Sequence, residues 1–285
     1  MRLVKNKISL IHCGSFLFIM CLFGIQSLYA DNGKMALVIS NSEYSYRKPT
    51  HNIANDAQNM NDVLIQLGFD VTLKMNLDYR AMESAIHEFT NRLKNMPQST
   101  GLFYFAGHGA QGQIQHFLLP VNNSYIRSEG DLKYDAVSVN KIIERMTTAS
   151  SKSIIILDAC YDKPYNSWNA QSLCHGLIKK TLPFSNQSGF IIAYPHEETI
   201  RGNNIYTETL VQTLKQAIEK SIGIERMFMR VDAAVEKNSY RRQVPWHQRI
   251  NLEDFSLGGI KTPRTSQCRC CTGGFYPTCY PCPCQ

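Results

Sequence analysis

The chain has 285 residues, 44% hydrophobic and 19% charged, the balance of an ordinary globular protein with enough length for one sizeable core. Its formal net charge of +7 is mild, and no basic run of the kind that tracks phosphates lies along it, which argues against nucleic-acid binding. The ten cysteines are uneven: Cys13 and Cys21 near the start, Cys160 and Cys174 in the body, and six in the last eighteen residues. A body with so few is not a disulfide scaffold.

Taken in order, Arg2, Lys5 and Lys7 precede an apolar run from Ile8 to about Ile25, and Ser27-Leu28-Tyr29-Ala30 ends it on a small residue. That is the order of a secretory signal. The alternative is an uncleaved anchor, because residues 8–29 are about long enough to cross a bilayer. His12, Gly14, Ser15, Gly24 and Gln26 dilute the run and favour cleavage, which removes three positive charges and leaves +4. The expectation is an exported protein, periplasmic or secreted, without stable membrane insertion. Residues 1–30 are then the signal, 31–258 one folded domain, and 259–285 a cysteine-rich tail.

Met35 to Ser40 is a short apolar strand. Met60, Leu64 and Leu67 recur at helical spacing within 55–67, and Gly68 offers the left-handed residue that closes such a helix. Phe69 to Lys74 alternates as a second strand. Asp78 caps a helix to about Met96, with Met82, Ile86, Phe89 and Leu93 on its buried face. Gly101 to Ala106 is a central strand leading to a turn at Gly107-His108-Gly109. One hairpin arm follows at 113–120, a helix at 139–146, and the most apolar strand, Ser153 to Leu157, leads to Asp158-Ala159-Cys160. A polar loop of about thirty residues comes next, a length usually functional. Gly189 to Tyr194 is another strand, two helices fill about 206–237, and 254–257 closes the sheet. Strands alternating with helices predict an α/β fold around a mostly parallel sheet, with helices on both faces.

Two reactive side chains follow the C-terminal ends of predicted buried strands, the edge where parallel α/β sheets bind ligands. One is His108 and the other, 52 residues on, is Cys160. Thiolate attack on a carbonyl needs a base within hydrogen-bond reach and donors aimed at the developing oxyanion. The His108 imidazole suits the first role, and the backbone N–H groups of Gly109 and Cys160 suit the second. A lone cysteine after an apolar strand is more often a core residue, and a lone histidine among glycines more often structural. The pairing at two strand ends makes both harder to dismiss.

Tyr104-Phe105-Ala106-Gly107-His108-Gly109 and Leu157-Asp158-Ala159-Cys160 resemble the two signature segments of the caspase-like cysteine peptidases, closest to the bacterial and paracaspase/metacaspase branch. The likeness runs from about Lys34 to Leu257. Met35 to Asn41, Asn55-Asp56-Ala57, Phe117 to Val121, Tyr206 to Leu210 and Gln243 to Trp246 match in order. The resemblance implies a three-layer α/β/α sandwich and peptide-bond hydrolysis through a thioester, with His108 and Cys160 as dyad and no cofactor or metal. Caspases themselves recognise aspartate with arginines, whereas in the metacaspase branch acids matching Asp158 and Asp56 line the primary specificity pocket. Two carboxylates favour Arg or Lys before the scissile bond. Asp56 also fits a plain helix N-terminal role.

This chain departs from the family in Tyr161-Asp162-Lys163-Pro164, and Asp162 is unfavourable to a nearby thiolate. Lys163, Lys179 and Lys180 are self-cleavage candidates. The rival reading is a catalytically silent caspase-like module that binds or scaffolds peptides. The expected partner is a peptide or protein substrate, and the oligomeric state is not legible. In the tail, Cys268, Cys270, Cys271, Cys279, Cys282 and Cys284 suggest up to three disulfides, with fifteen connectivities, or a zinc or copper site. Trp168 and Trp246 read as packing, and His116, His175 and His196 are not expected to be ligands.

Overall fold

Uninterrupted apolar runs become interior strands here because both faces of the sheet are covered by helices. The computed structural model describes residues 33–45, 51–112, 115–162, 189–195, 205–258, 268–271 and 279–282. In chain order the elements are β1 (Lys34–Ser40), α1 (His51–Gln66), β2 (Phe69–Met75), α2 (Tyr79–Lys94), β3 (Thr100–Gln111), β4 (His116–Leu118), α3 (Glu129–Asp135), β5 (Val137–Ser138), α4 (Val139–Ala149), β6 (Lys152–Asp162), β7 (Phe190–Tyr194), α5 (Ile205–Glu219), α6 (Ile224–Asn238) and β8 (Trp246–Ile250). A separate antiparallel pair, β9 (Cys268–Cys271) and β10 (Cys279–Cys282), lies in the tail.

The sheet runs β2-β1-β3-β6-β7-β8, with β4 pairing to β3 and β5. The four pairings from β2 to β7 are parallel and β7–β8 is antiparallel. The chain leaves β1 toward β2 and returns on its other side as β3, so the crevice of this open sheet lies past the ends of β1 and β3. One face packs Leu102, Tyr104, Ala106, Ile154 and Ile156 under α1, α5 and α6. The other packs Phe103, Phe105, Ile155, Leu157 and Ala159 under α2 and α4. This alternation is the strand period applied to both central strands. The result is the expected mostly parallel α/β/α sandwich.

Local chemistry sets several ends as expected. The Ala81 N–H donates to Asp78 Oδ1 at 2.8 Å, capping α2, and Gly68 follows α1 with φ +83°. The helix α1 begins at His51, four residues before the expected start. Three expectations are corrected. The stretch Gly107–Gly109 is no turn: β3 continues as extended strand to Gln111, because β4 pairs on one side and β6 on the other. β6 likewise runs on to Asp162. The closing strand is Trp246–Ile250 rather than 254–257, where Ser256 makes only an isolated bridge to Gly223. Trp246 packs on Tyr194 at 4.9 Å, the structural role expected of it.

The start of the fold is tied to its end. At the head of β1, the Lys34 ammonium donates to the carbonyl of Leu67 at 2.9 Å and to that of Leu257 at 2.6 Å. No helix among the described residues is long and apolar enough to cross a membrane. The expected signal and the self-cleavage candidates Lys163, Lys179 and Lys180 lie outside the described residues, as do Cys174, Trp168, His175 and His196.

Candidate active site

Beyond Ala106, β3 and β6 stay in register for four more residues, and His108 is the direct register partner of Cys160. Adjacent strands lie about 4.8 Å apart, so the backbones carrying the two predicted reactive residues are neighbours. For Cys160 only the backbone is described. His108 shares the strand parity of Leu102, Tyr104 and Ala106, and Cys160 follows Asp158 by one strand period.

The backbone of β3 here has assigned directions. The Asn41 N–H donates to the Ala106 carbonyl, and the Leu119 N–H to the His108 carbonyl, both at 2.9 Å. The His108 N–H donates to the Tyr44 hydroxyl at 2.7 Å. Even-numbered residues therefore direct their polar groups toward β1 and β4, and by alternation Gly109 directs its N–H toward β6. The predicted oxyanion donors, the amides of Gly109 and Cys160, belong to the same inter-strand region.

Gly107 is required by close approach. A Cβ at this position would lie 2.6 Å from the Tyr44 hydroxyl and 3.0 Å from the Asn41 carbonyl oxygen. Tyr44 is 4% exposed, and its ring meets that of His108 edge-on at 4.6 Å. The loop carrying it is built by two asparagines. Asn76, at φ +53°, accepts from the Ser42 and Glu43 N–H groups at 3.0 and 3.2 Å. Asn41, fully buried, accepts from the Leu77 N–H at 2.9 Å and donates to the Leu119 carbonyl at 3.1 Å. Sequence reasoning missed Tyr44, whose part is decided by a contact 64 residues distant.

Asp158 is 8% exposed on the face beneath α1, α5 and α6. Its Oδ2 accepts from the Thr207 hydroxyl, and from the Tyr104 hydroxyl at 3.4 Å. Tyr104 and Thr207 are themselves 2.9 Å apart, closing a triangle of buried oxygens. Burial first, and the Asp158 charge second, push the Tyr104 phenol well above its ordinary range, with Asp56 adding to the same effect. The two predicted acids therefore sit around one buried tyrosine, Asp158 from β6 and the half-buried Asp56 from α1. Tyr104 and Thr207 were not singled out from sequence. The available signal was a phenol inside an otherwise apolar central strand, which needs a polar partner when buried. Beside Thr207 in the first turn of α5, burial and the charges of Asp232 and Asp158 raise Tyr206 as well.

In the tail, the register sets Cys268 opposite Cys282, Cys271 opposite Cys279 and Cys270 opposite Tyr280. Cys284 lies outside the described residues, and for the other five only the backbone is described.

Residues 33–256 match the family model of the caspase domain of C14 peptidases. Similar curated proteins include Caspase-13 and Caspase-4 of Bos taurus, each 23% identical over 245 residues that cover 79% of this chain and 63% of the relative. Caspase-1 of Canis lupus familiaris is 23% identical, covering 79% of this chain and 59% of that protein. The chain thus spans less than two thirds of the length of these relatives. A crystal structure of a Geobacter sulfurreducens protein superposes with a TM-score of 0.57 at 11% identity, covering 78% of this chain and 95% of that one, a likeness of fold. With the family model matching from the first strand to past the last strand of the sheet, the chain belongs to the caspase-domain peptidase family.

Proposed function

We propose that the chain is a cysteine endopeptidase in which His108 and Cys160 act as a dyad, cleaving after Arg or Lys. The observation that carries this reading is the register of β3 against β6, which makes His108 and Cys160 direct partners near the C-terminal edge of the sheet, the side where this fold class binds ligands. The Cys160 thiol gives its proton to the His108 imidazole, and the thiolate attacks the scissile carbonyl carbon. The electron pair moves to oxygen, stabilised by the amides of Gly109 and Cys160. The pair returns, the C–N bond breaks, and His108 passes its proton to the departing amine, leaving a thioester. Water then attacks with His108 as base, and the acid departs as the thiolate is restored. Because the ladder continues to Ala110 and Asp162, its last rungs must part for both amides to turn onto a substrate oxygen.

The preference for basic residues rests on Asp158 and Asp56. A carboxylate held by the Thr207 and Tyr104 hydroxyls is oriented before substrate arrives, and a second acid nearby strengthens the field for a guanidinium or ammonium. This charge logic follows the resemblance to the metacaspase branch rather than the aspartate recognition of classical caspases. An oxidising location, expected from residues 1–30, leaves the nucleophile open to capping by thiol exchange, so the test is run under reducing conditions.

The test compares fluorogenic peptides ending in Arg, Lys and Asp, with Cys160→Ala as control. Turnover of the Arg and Lys peptides that vanishes in the variant is the expected result. Cleavage after Asp alone would keep the dyad and remove the acidic pocket. Silence on all three would favour a peptide-binding module.

A further inference from the structure

We propose that Tyr44 is a positioning residue for His108, acting through a hydroxyl spliced into the strand ladder. The assignment rests on the dyad reading above. Gly109 and Leu118 are opposed on β3 and β4, so the next pair outward is His108 with Leu119. In a regular antiparallel ladder that pair exchanges two direct hydrogen bonds. Only one of the two is made directly, from the Leu119 N–H to the His108 carbonyl at 2.9 Å. In the place of the second stands the Tyr44 phenol. The His108 N–H donates to it at 2.7 Å, and it donates onward to the Leu119 carbonyl at 3.3 Å.

Inserting one oxygen between N–H and carbonyl opens the N–H end of that rung wider than a direct bond would, while the direct bond closes its carbonyl end. β3 is thereby eased away from β4 at the His108 N–H, on the side opposite β6. The same phenol ring meets the imidazole edge-on at 4.6 Å and 62°, which limits rotation of the histidine ring. Both effects come from one side chain, and the site is built to admit it. The hydroxyl lies 2.6 Å from where a Cβ of Gly107 would be, and the ring is buried with Ala110, Phe117, Leu119, Ile126, Leu132 and Ala136. The hydroxyl serves the backbone of His108 and the ring serves its side chain, which makes Phe and Ala substitutions separable.

Tyr44→Phe keeps the ring and lets the rung close directly. Its expected signature is a fall in kcat of about 10- to 100-fold, the scale of a sub-ångström to ångström misplacement of a reacting group, with KM within about 2-fold. Because substrate is not needed for it, a second readout is the pH dependence of Cys160 carbamidomethylation by iodoacetamide, read at that residue by mass spectrometry. In the wild type the histidine-assisted thiol reacts well below the ordinary thiol range, and in Tyr44→Phe that reactivity moves toward higher pH. Ile142→Ala, in the separate apolar cluster under α2 and α4, serves as a control that loosens the fold without disturbing the seat of Tyr44. It is expected to lower Tm at least as far as Tyr44→Phe while leaving kcat and the alkylation profile unchanged. A Tyr44→Phe protein with wild-type kcat and alkylation profile would overturn the proposal, as would an Ile142→Ala protein with the same kinetic defect. His108→Ala separates this from failure of the dyad. If that variant keeps full activity and an unchanged Cys160 profile, the dyad falls and the role of Tyr44 with it. If it is inactive beside an unimpaired Tyr44→Phe, only the role of Tyr44 falls.

Discussion

The two faces of the central sheet are built from the same strands and differ in chemistry. Under α2 and α4, the buried contribution of β3 and β6 is Phe103, Phe105, Ile155, Leu157 and Ala159, with no ionisable group among them. Under α1, α5 and α6, the alternate positions of the same strands supply Tyr104 and Asp158, and α5 adds Thr207 and Tyr206. Further along that face, His247 of β8 pairs with Asp232 of α6 at 2.6 Å. The strand period thus sorts one sequence into a dry face and a polar face. The dry face resists register slip, because shifting by one residue would bury Asp158 among aliphatics. The polar face carries the acids to which we assign the proposed specificity, on the scaffold so fixed. His108 and Cys160 fall at its parity, at the open end of the same ladder.

Three experiments press on this division. The largest effect is expected on the dry face. Ile155→Ala empties a fully buried position and should cost about 2–5 kcal/mol of stability, read by denaturant unfolding. Activity per folded molecule should stay at the wild-type value, and a large loss there would mean the two faces are not separable. Next is Asp158→Asn, which keeps an oxygen for Thr207 and Tyr104 but removes the charge. Cleavage after Arg or Lys should fall by roughly 100-fold in kcat/KM, the cost of leaving a buried ionic partner unmatched, with Tm little changed. Retention of basic-peptide cleavage would detach the polar face from specificity.

The smallest effect is a titration. Tyr104 and Tyr206 are raised in the folded chain by burial first and by neighbouring carboxylates second, while an unfolded chain ionises them near the ordinary value of 10.0. A phenol whose folded pKa is raised holds its proton more tightly when folded. Its contribution is complete below about pH 10 and is lost as pH climbs above that point. Tm should therefore fall with rising pH in that window. The Tyr206 hydroxyl has no hydrogen-bond partner among the described residues, so Tyr206→Phe should leave Tm at pH 8 unchanged or higher and flatten the alkaline slope. An unchanged slope would mean that the titration belongs elsewhere.

Much of this architecture is legible in the sequence, and the parts that are not share a cause. Met35 to Ser40, Leu102 to Phe105 and Ile154 to Leu157 are apolar because they are covered on both faces, and they read correctly as interior strands. β8 escapes because Trp246-His-Gln-Arg-Ile250 is an edge strand, half exposed, whose polar residues look like loop. Gly107 and Gly109 suggest a turn when read alone. Within the sheet, Gly107 is the clearance for Tyr44, and the strand passes straight through. The sequence signals of the site are similarly divided. His108, Cys160 and Asp158 follow the apolar runs of β3 and β6 toward their C-terminal edge, where position itself is informative. Tyr44 and Thr207 act through contacts 64 and 49 residues away, which no local pattern encodes.

The Lys34 ammonium bears on how such a chain completes itself during synthesis. Two of its acceptor carbonyls belong to Leu67, made soon after it, and to Leu257, made 223 residues later. As the chain emerges, β1 can meet α1 and β2 early, yet the bond from Lys34 to Leu257 waits until nearly the whole domain is available. That tie between the first and last parts of the domain therefore forms only once the segment around Leu257 is available. A nascent chain stalled short of that point should be more open to proteolysis at its beginning than one stalled just past it.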